Sequence, residues 1–104
     1  MSYHDTLFAL SDATRRSLLE SIAQQPQSVA ELAQGRPISR PAVSQHLKVL
    51  LQARLVSSTT QGTRHLYALD QSGIAALRTY LDGFWSDALT AFGAEVQRRS
   101  HTPT

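Results

Sequence analysis

The sequence predicts a mainly α-helical fold that carries one β-hairpin and forms a single domain over residues 1–104. Three observations lead to this prediction. Apolar residues recur every three or four positions in several separate segments, as they do on one face of a helix. A run rich in β-branched residues at 55–60 is followed by a Gln-Gly turn and a second strand-like run at 63–69. The segment from residue 71 to residue 99 contains no proline, which favours one long final helix.

The composition is that of a globular protein without thiol chemistry. The 104 residues are 41% hydrophobic and contain no cysteine, which excludes disulfides, thiolate metal sites and cysteine nucleophiles. We find no apolar run long enough to span a membrane and no secretory signal, so we expect a cytoplasmic protein. The net charge is only +2, but five cations of the middle third share that stretch with one carboxylate, Glu31. These cations are Arg36, Arg40, Lys48, Arg54 and Arg64. Their concentration is compatible with a nucleic-acid partner.

Two helices are predicted at the start of the chain. The first covers residues 3–10, and its apolar contacts are Leu7, Phe8 and Leu10. Either Ser11 or Asp12 caps a second helix, which begins at residue 13 and ends near residue 25, because Pro26 cannot continue it. The apolar stripe of the second helix consists of Leu18, Leu19, Ile22 and Ala23.

A helix-turn-helix pattern follows. Ser28 and Glu31 have the spacing of a capping box, which predicts a short third helix that ends at Gly35 with Leu32 and Ala33 facing inward. After a turn at 36–38, Ser39 is the predicted N-cap of a fourth helix that runs to about residue 53, with Pro41 in its first turn. Its apolar side consists of Val43, Leu47, Leu50 and Leu51. Two short helices around a tight turn are typical of DNA-binding proteins.

A β-hairpin comes directly after the fourth helix. Its strands are predicted at 55–60 and 63–69, and Gln61-Gly62 forms the turn because glycine adopts a positive φ without strain. A hairpin in this position is a wing, so the predicted architecture is a winged helix-turn-helix of five helices and two strands. Arg64 lies near the tip of the wing, where an arginine reaches a minor groove or a phosphate.

The last helix is predicted from residue 71 or 72 to about residue 99, with a tail at 99–104 that we expect to be disordered. Its apolar stripe is larger than a small winged domain can cover, since each large aromatic buries about 150–250 Å². We therefore expect a homodimer through the first and last helices, although packing on the domain's own core is the simpler alternative. The expected interface residues are Leu7, Phe8, Leu77, Leu81, Phe84, Trp85, Leu89 and Phe92. Gly83 and Gly93 in this helix either admit a partner helix or open a small pocket.

The polar side of the fourth helix supplies the candidate DNA-binding residues. We expect Ser44 and Gln45 to contact base edges, because small hydroxyl and amide groups suit the major groove. Arg40, Lys48 and Arg64 suit phosphates or the groove walls. The full candidate set is Ser39, Arg40, Pro41, Ser44, Gln45, His46, Lys48 and Arg64.

Four further side chains have two interpretations each. His46 either packs against the helix or contacts DNA, and His65 is either a wing surface residue or a contact to the DNA backbone. Arg15 and Arg16 begin the second helix, where a cation opposes the helix dipole. They are either a solvated pair or bound to a DNA phosphate or to a carboxylate such as Asp12.

The chain resembles the ArsR-type winged helix-turn-helix repressors from about residue 7 to residue 96. The resemblance lies in the segments 10–16, 29–33 and 38–50 and in Gly62-Thr63-Arg64, and it is most specific around Ser44, His46 and Leu47. It implies a homodimer on a palindromic operator, with double-stranded DNA as partner, and repression of its own operon. It also implies release by an inducer, whose identity the sequence does not give.

The sequence departs from the metal-sensing patterns of that family. The Cys-x-Cys of the third helix corresponds to Ser28 and Ala30, and the Asp-x-His of the last helix corresponds to Asp70 and Ser72. The segment 81–85 resembles instead a Leu-Asp-x-Phe-Trp subgroup that generally lacks these metal sites. We therefore expect no cofactor and no standard metal site.

Three other functions remain open from the residues alone. A non-standard metal site of nitrogen and oxygen ligands would use His4, Asp5 and His101 across a dimer. A winged-helix module that binds protein is opposed by the basic middle third. An enzyme has little support, because there is no cysteine, no histidine–carboxylate cluster and no glycine-rich phosphate loop.

Overall fold

The computed structural model describes residues 3–100, and the side chains of residues 3–96. Five helices and one antiparallel hairpin follow in the predicted order, which confirms the mainly α-helical fold with a wing. The elements are α1 (Tyr3–Leu10), α2 (Ala13–Gln24), α3 (Val29–Ala33), α4 (Arg40–Gln52), β1 (Val56–Gln61), β2 (Arg64–Leu69) and α5 (Gln71–Ser100). Residues 99 and 100, expected in the tail, belong to α5, and residues 101–104 lie outside the described part of the chain. No described helix is long and apolar enough to cross a membrane.

Side chains that accept backbone hydrogen bonds begin the helices. Asp12, one of the two predicted caps, accepts the Arg15 N–H at 3.0 Å and starts α2. The predicted capping box of α3 is confirmed, because the Ser28 hydroxyl accepts the Glu31 N–H at 3.2 Å and the Glu31 carboxylate accepts the Ser28 N–H at 3.0 Å. Asp70, the residue before α5, accepts the Ser72 N–H at 2.8 Å. Each contact satisfies a donor that the helix itself leaves unpaired.

The joint between α1 and α2 is made by two arginines. Arg15 donates from Nε to the Ala9 carbonyl at 2.9 Å and from Nη2 to the Phe8 carbonyl at 3.2 Å. Arg16 donates from Nη1 to the Leu10 carbonyl at 2.7 Å. Neither arginine is merely solvated, and these bonds engage the carbonyl groups at the C-terminal end of α1. Sequence reasoning missed this role, because the carbonyls come within reach only when the two helices meet at an angle.

The core lies between α1, α2, α3, α4 and the start of β1. Its largest fully buried side chains are Leu18, Ile22, Leu32, Val43, Leu47, Leu50, Leu55 and Val56. The predicted stripes of α2 and α4 supply most of these residues, but Ala23 is exposed and does not belong to the stripe. The α2 stripe is therefore narrower than predicted.

The hairpin is tied to the helix-turn-helix by backbone hydrogen bonds. Gln61 pairs with Arg64, so the two-residue turn is Gly62-Thr63 and not the predicted Gln61-Gly62. Gly62 has a φ of +63°, which explains why glycine occupies the first turn position. At the base of the wing, Gln27 and Tyr67 exchange two backbone hydrogen bonds of 3.0 and 2.8 Å. This bridge fixes the wing against the connection between α2 and α3.

Helix α5 begins against the end of α4, packs against α1 and then extends beyond the domain. The Gly73 N–H donates to the Arg54 carbonyl at 2.9 Å, and the Asp70 N–H donates to the Leu55 carbonyl at the same distance. From there, the 30 residues of α5 extend about 45 Å. The radius of gyration is 19.6 Å, whereas a compact domain of this length has about 13 Å. The chain is therefore elongated, with a maximum extent of 72 Å.

Candidate nucleic-acid interface

The outward side of α4 is a polar surface on a rigid support. Val43, Leu47 and Leu50 are fully buried, so the opposite side of the same helix faces solvent. The exposed candidate residues on α4 and its cap are Ser39, Arg40, Pro41, Ser44, Gln45 and Lys48. Ser44, Gln45 and Lys48 line one open groove of about 430 Å³ together with Val49 and Gln52. The structure thus brings the two predicted base readers and one predicted phosphate contact together.

The start of α4 is fixed locally. The Ser39 hydroxyl accepts the Ala42 N–H at 3.3 Å, and Pro41 occupies the first turn, as predicted from the sequence. Proline costs no hydrogen bond there, because the first backbone N–H groups of a helix have no partner within it. The exposed first turn presents the positive end of the helix dipole outward, beside Arg40, although the N–H groups of Ala42 and Val43 are already bonded to Ser39. This end of α4 is suited to an anion such as a phosphate.

His46 lies apart from the other candidates. At ~100° per residue it is about 200° around α4 from Ser44, and the imidazole is half-buried. It lies near Asp12, whose pKa is lowered first by the Arg15 backbone N–H and further by the charges of Arg15 and His46. This position favours the packed interpretation of His46. His65 is an exposed residue of the wing, with its ring centroid 6.3 Å from that of Tyr67.

Arg64, the candidate residue of the wing, is held by a carboxylate. Its Nη2 lies 2.7 Å from Glu31 Oε1, and both side chains are exposed. The same Oε1 accepts the Ser28 N–H. The pKa of Glu31 is lowered mainly by the hydrogen bonds from the backbone and hydroxyl of Ser28, and in addition by Arg64. The carboxylate is therefore ionised at neutral pH, and it ties the wing to α3.

Not every cation of the basic middle third faces outward. Arg36 donates to the hydroxyls of Ser17 and Ser21, both at 2.7 Å, and to the Ser17 carbonyl at 3.4 Å. It therefore joins the turn of the helix-turn-helix to α2. The sequence showed Arg36 only as one of five cations in the basic middle third. The signal for its structural role is the pair of serines four positions apart on one side of α2.

The expected dimer residues form an exposed apolar surface on α1 and α5. The exposed fraction reaches 58% for Trp85 and 66% for Phe92, and only Leu77 of the predicted set is half-buried. The other exposed members are Leu7, Phe8, Leu81, Phe84 and Leu89. Tyr3 and Tyr80 stack between the two helices with ring centroids 4.3 Å apart, a contact that the sequence analysis missed.

The alternative of a non-standard metal site at His4, Asp5 and His101 stays untested. His4 and Asp5 are exposed residues of α1, whereas His101 lies outside the described residues. Within residues 3–96, no three histidine or acidic side chains come together as a metal site.

The geometry defines a class of protein. The second helix of the helix-turn-helix is anchored in the core by its apolar side and presents serine, glutamine and lysine outward. A hairpin is fixed beside it by a backbone bridge and an ion pair. This is the arrangement of a winged helix-turn-helix DNA-binding regulator, in which the second helix enters the major groove.

Comparison with known proteins identifies the family. Residues 12–58 match the model described as bacterial regulatory protein, arsR family. The HTH-type transcriptional regulator Rv2034 of Mycobacterium tuberculosis is 58% identical over 84 residues, which are 81% of this chain and 78% of that protein. The chain therefore belongs to the ArsR family of transcriptional regulators, which confirms the resemblance found in the sequence.

Two further proteins extend the comparison. The transcriptional repressor SdpR of Bacillus subtilis is 34% identical over 62 residues, which are 60% of this chain and 69% of that protein. The solved structure of an ArsR-like transcriptional regulator from Rhodococcus sp. RHA1 is 26% identical and has a TM-score of 0.86. The match covers 96% of this chain and 92% of that chain. The likeness thus includes the wing and the long last helix as well as the helix-turn-helix.

Proposed function

We propose that the protein is a homodimeric repressor that binds a palindromic operator in its own operon and is released by a signal. The protein acts in the cytoplasm, where bacterial DNA lies, and the proposal includes no catalytic step. The observation that supports the proposal is that one chain presents two different exposed surfaces. One is the polar side of α4, and the other is the apolar surface of α1 and α5.

The roles of the α4 residues follow from their chemistry. Gln45 carries an amide that forms two hydrogen bonds with an adenine in the major groove, and Ser44 is small enough to approach a base edge. Arg40 and Lys48 bind phosphates on either side and set the position of the helix. The hydroxyl of Ser39 is already engaged as the helix cap, so Ser39 and Pro41 contribute mainly by shaping the first turn.

Dimerisation accounts for the apolar surface. Trp85 and Phe92 are more than half exposed in the single chain, and burial of such side chains contributes about 1.5–3 kcal/mol each. A two-fold dimer through this surface buries the same residues on both chains. It places two α4 helices in successive major grooves, about 34–36 Å apart, and thereby requires a palindromic site.

Fluorescence-anisotropy titration tests the proposal. The purified protein is titrated with labelled DNA from upstream of its own gene and with a scrambled duplex, at two salt concentrations. We expect a dimer to bind the first duplex more tightly, with an affinity that falls steeply as salt rises. Genome-wide selection of bound DNA extends the test to other operators. The proposal would be contradicted if every selected duplex bound as weakly as the scrambled one.

Two glutamines of α4 provide a matched pair of variants. Gln45→Ala removes a proposed base contact near the start of the helix, and we expect a loss of about 1–3 kcal/mol with relaxed preference at one base pair. Gln52→Ala removes the same group two turns further along the same groove, beyond the end that contacts bases, and should change little. Lys48→Ala should weaken binding to all sequences and lower the salt slope by about one per protomer. Unchanged sequence preference in Gln45→Ala would refute its role.

A further inference from the structure

The wing arginine and its carboxylate partner are an unusual pair in this chain. Glu31 is the sole Asp or Glu between Glu20 and Asp70, a stretch that includes the complete helix-turn-helix and the wing. This one carboxylate contacts Arg64, the residue at the start of β2, at 2.7 Å. The helix-turn-helix and the wing thus contribute a single negative charge, and that charge is bound to one of their cations.

The pair lies beside the start of α4. Glu31 lines an open groove of about 450 Å³ together with Arg40, the first residue of α4, and with Ala30, Ala33 and Gln34. A DNA backbone that follows the exposed first turn of α4 would pass this groove. A free carboxylate there repels phosphate, whereas a free Arg64 attracts it. Glu31 and a phosphate are therefore competitors for the same guanidinium.

The competition favours phosphate. An exposed ion pair contributes only about 0–1 kcal/mol, because both ions are already well solvated. Glu31 also keeps a second interaction when Arg64 leaves, since its carboxylate still accepts the Ser28 N–H at 3.0 Å. The backbone bridge between Gln27 and Tyr67 holds the base of the wing independently of the ion pair. Release of Arg64 therefore requires neither the melting of α3 nor the detachment of the wing.

We infer that Glu31 is a positioning residue that holds Arg64 in the DNA-free protein and passes it to a DNA phosphate on binding. The inference rests on the proposed function, in which Arg64 contacts DNA. Glu31 and Arg64 together form a latch that lowers affinity for every DNA sequence. The two latches of a dimer then set how strongly the repressor is retained on non-specific DNA.

The variant Glu31→Gln tests the latch without loss of the helix cap. Glutamine retains the capping box, because its amide oxygen accepts the Ser28 N–H, but it carries no charge. We expect Glu31→Gln to bind DNA about 2- to 30-fold more tightly, from two exposed ion pairs of about 0.2–1 kcal/mol each. Glu20→Gln is the matched control, since it removes one exposed carboxylate from α2. A gain no greater than that of the control, or a loss of affinity, would overturn the inference.

A spectroscopic readout separates the latch from a structural role. The carbon NMR signal of the Glu31 carboxylate and the side-chain nitrogen signals of Arg64 are followed as operator DNA is added. We expect the Glu31 signal to move to that of an unpaired carboxylate as the Arg64 signals move to their phosphate-bound positions. If the Glu31 signal stays unchanged in the complex, the ion pair persists and the transfer is refuted.

Arg64→Ala distinguishes failure of the latch from failure of the proposed wing contact. We expect Arg64→Ala to weaken DNA binding and to lower the salt slope by about one per protomer. If it does so while the Glu31 signal of the wild-type protein is unaffected by DNA, only the transfer is wrong. If Arg64→Ala leaves both affinity and slope unchanged, the proposed contact of the wing with DNA is wrong, and the latch with it.

Discussion

The helix-turn-helix and the long last helix differ in how far they bury their apolar side chains. Leu47 of α4 is 0% exposed inside the core of its own chain, whereas Phe92 of α5 is 66% exposed. The first region buries its stripe against α1, α2, α3 and β1 of the same chain. The second contacts α1 of the same chain but leaves most of its large apolar side chains exposed. The core of the helix-turn-helix is thus complete within one chain, whereas the apolar surface of α5 is left for the proposed partner chain.

The largest expected effect comes from the core. Leu47→Ala should lower the free energy of unfolding by about 2–5 kcal/mol, because it removes a fully buried side chain and leaves a cavity. Chemical denaturation should give this loss at every protein concentration. Leu89→Ala is the matched variant on α5, and its effect should shrink on dilution as dimers dissociate. Equal, concentration-independent losses in both variants would contradict the difference between the two regions.

A smaller effect is expected at the apolar surface of α5. Phe92→Ala should weaken dimerisation by about 2–4 kcal/mol per dimer, since each of two chains loses part of a buried phenyl ring. Analytical ultracentrifugation over a dilution series measures the dissociation constant. Thr79→Ala, about 140° around the helix, is the control and should leave the constant unchanged. A wild-type protein that stays monomeric at high concentration would contradict the comparison altogether.

The junction of the two regions gives the third prediction. A Cβ at Gly73 would lie 2.7 Å from the Arg54 carbonyl oxygen and closer still to that of Ala53. Gly73→Ala should therefore destabilise the protein by about 1–3 kcal/mol. Gly83→Ala adds a Cβ to the same helix with no atom within 4 Å, and should stabilise it by about 0.5–1 kcal/mol. The Tm should fall for Gly73→Ala and rise for Gly83→Ala. A change of the same sign in both variants would show that the close contact at Gly73 is not decisive.

The smallest effect concerns helix caps, a device that both regions share. Hydrogen bonds from first-turn N–H groups hold the pKa of Asp12 and of Asp70 below the ordinary value of 3.8. A carboxylate with a lowered folded-state pKa adds stability above its unfolded pKa. That contribution is lost as pH falls through the folded pKa. We therefore expect the free energy of unfolding to decline as pH falls below about 4.

Asparagine tests this pH dependence, because Asp12→Asn keeps an N-cap but removes the titrating group. Urea unfolding at neutral pH and near pH 3 should give a smaller acid-induced loss for Asp12→Asn than for the wild type. The corresponding change at Asp70 should act in the same sense at the start of α5. Identical losses in the wild type and both variants would assign the acid sensitivity to other carboxylates.

Much of the fold is predictable from the sequence because its signals are local. The Ser28 and Glu31 capping box and the Ser39 cap each depend on residues within one helical turn, and each prediction is confirmed. The hairpin turn was misplaced by one residue, since Gly62 fits either position and only the strand register decides. The long α5 followed from its uninterrupted apolar stripe.

The parts that were missed depend on tertiary geometry. Arg36 belongs to the basic middle third, yet it donates to Ser17 and Ser21, nineteen and fifteen residues earlier in the chain. Arg64 and Glu31 meet across thirty-three residues. Neither helical periodicity nor capping patterns predict contacts between residues so far apart in the chain. The outward side of α4 was predictable because it is the complement of a buried stripe, whereas the partners of individual cations were not.

The hydrogen bonds that join α1 to α2 do not depend on pH. Arg15 and Arg16 bind backbone carbonyls, and neither the guanidinium nor a carbonyl changes its protonation state in ordinary acid or base. No carboxylate takes part in these three bonds. Acid that protonates the capping carboxylates therefore leaves the joint between α1 and α2 intact. The same joint links the apolar surface of α1 directly to α2, which packs on α4. In the proposed dimer, this joint would connect the surface where the two chains meet to the DNA-binding helices through bonds that do not titrate.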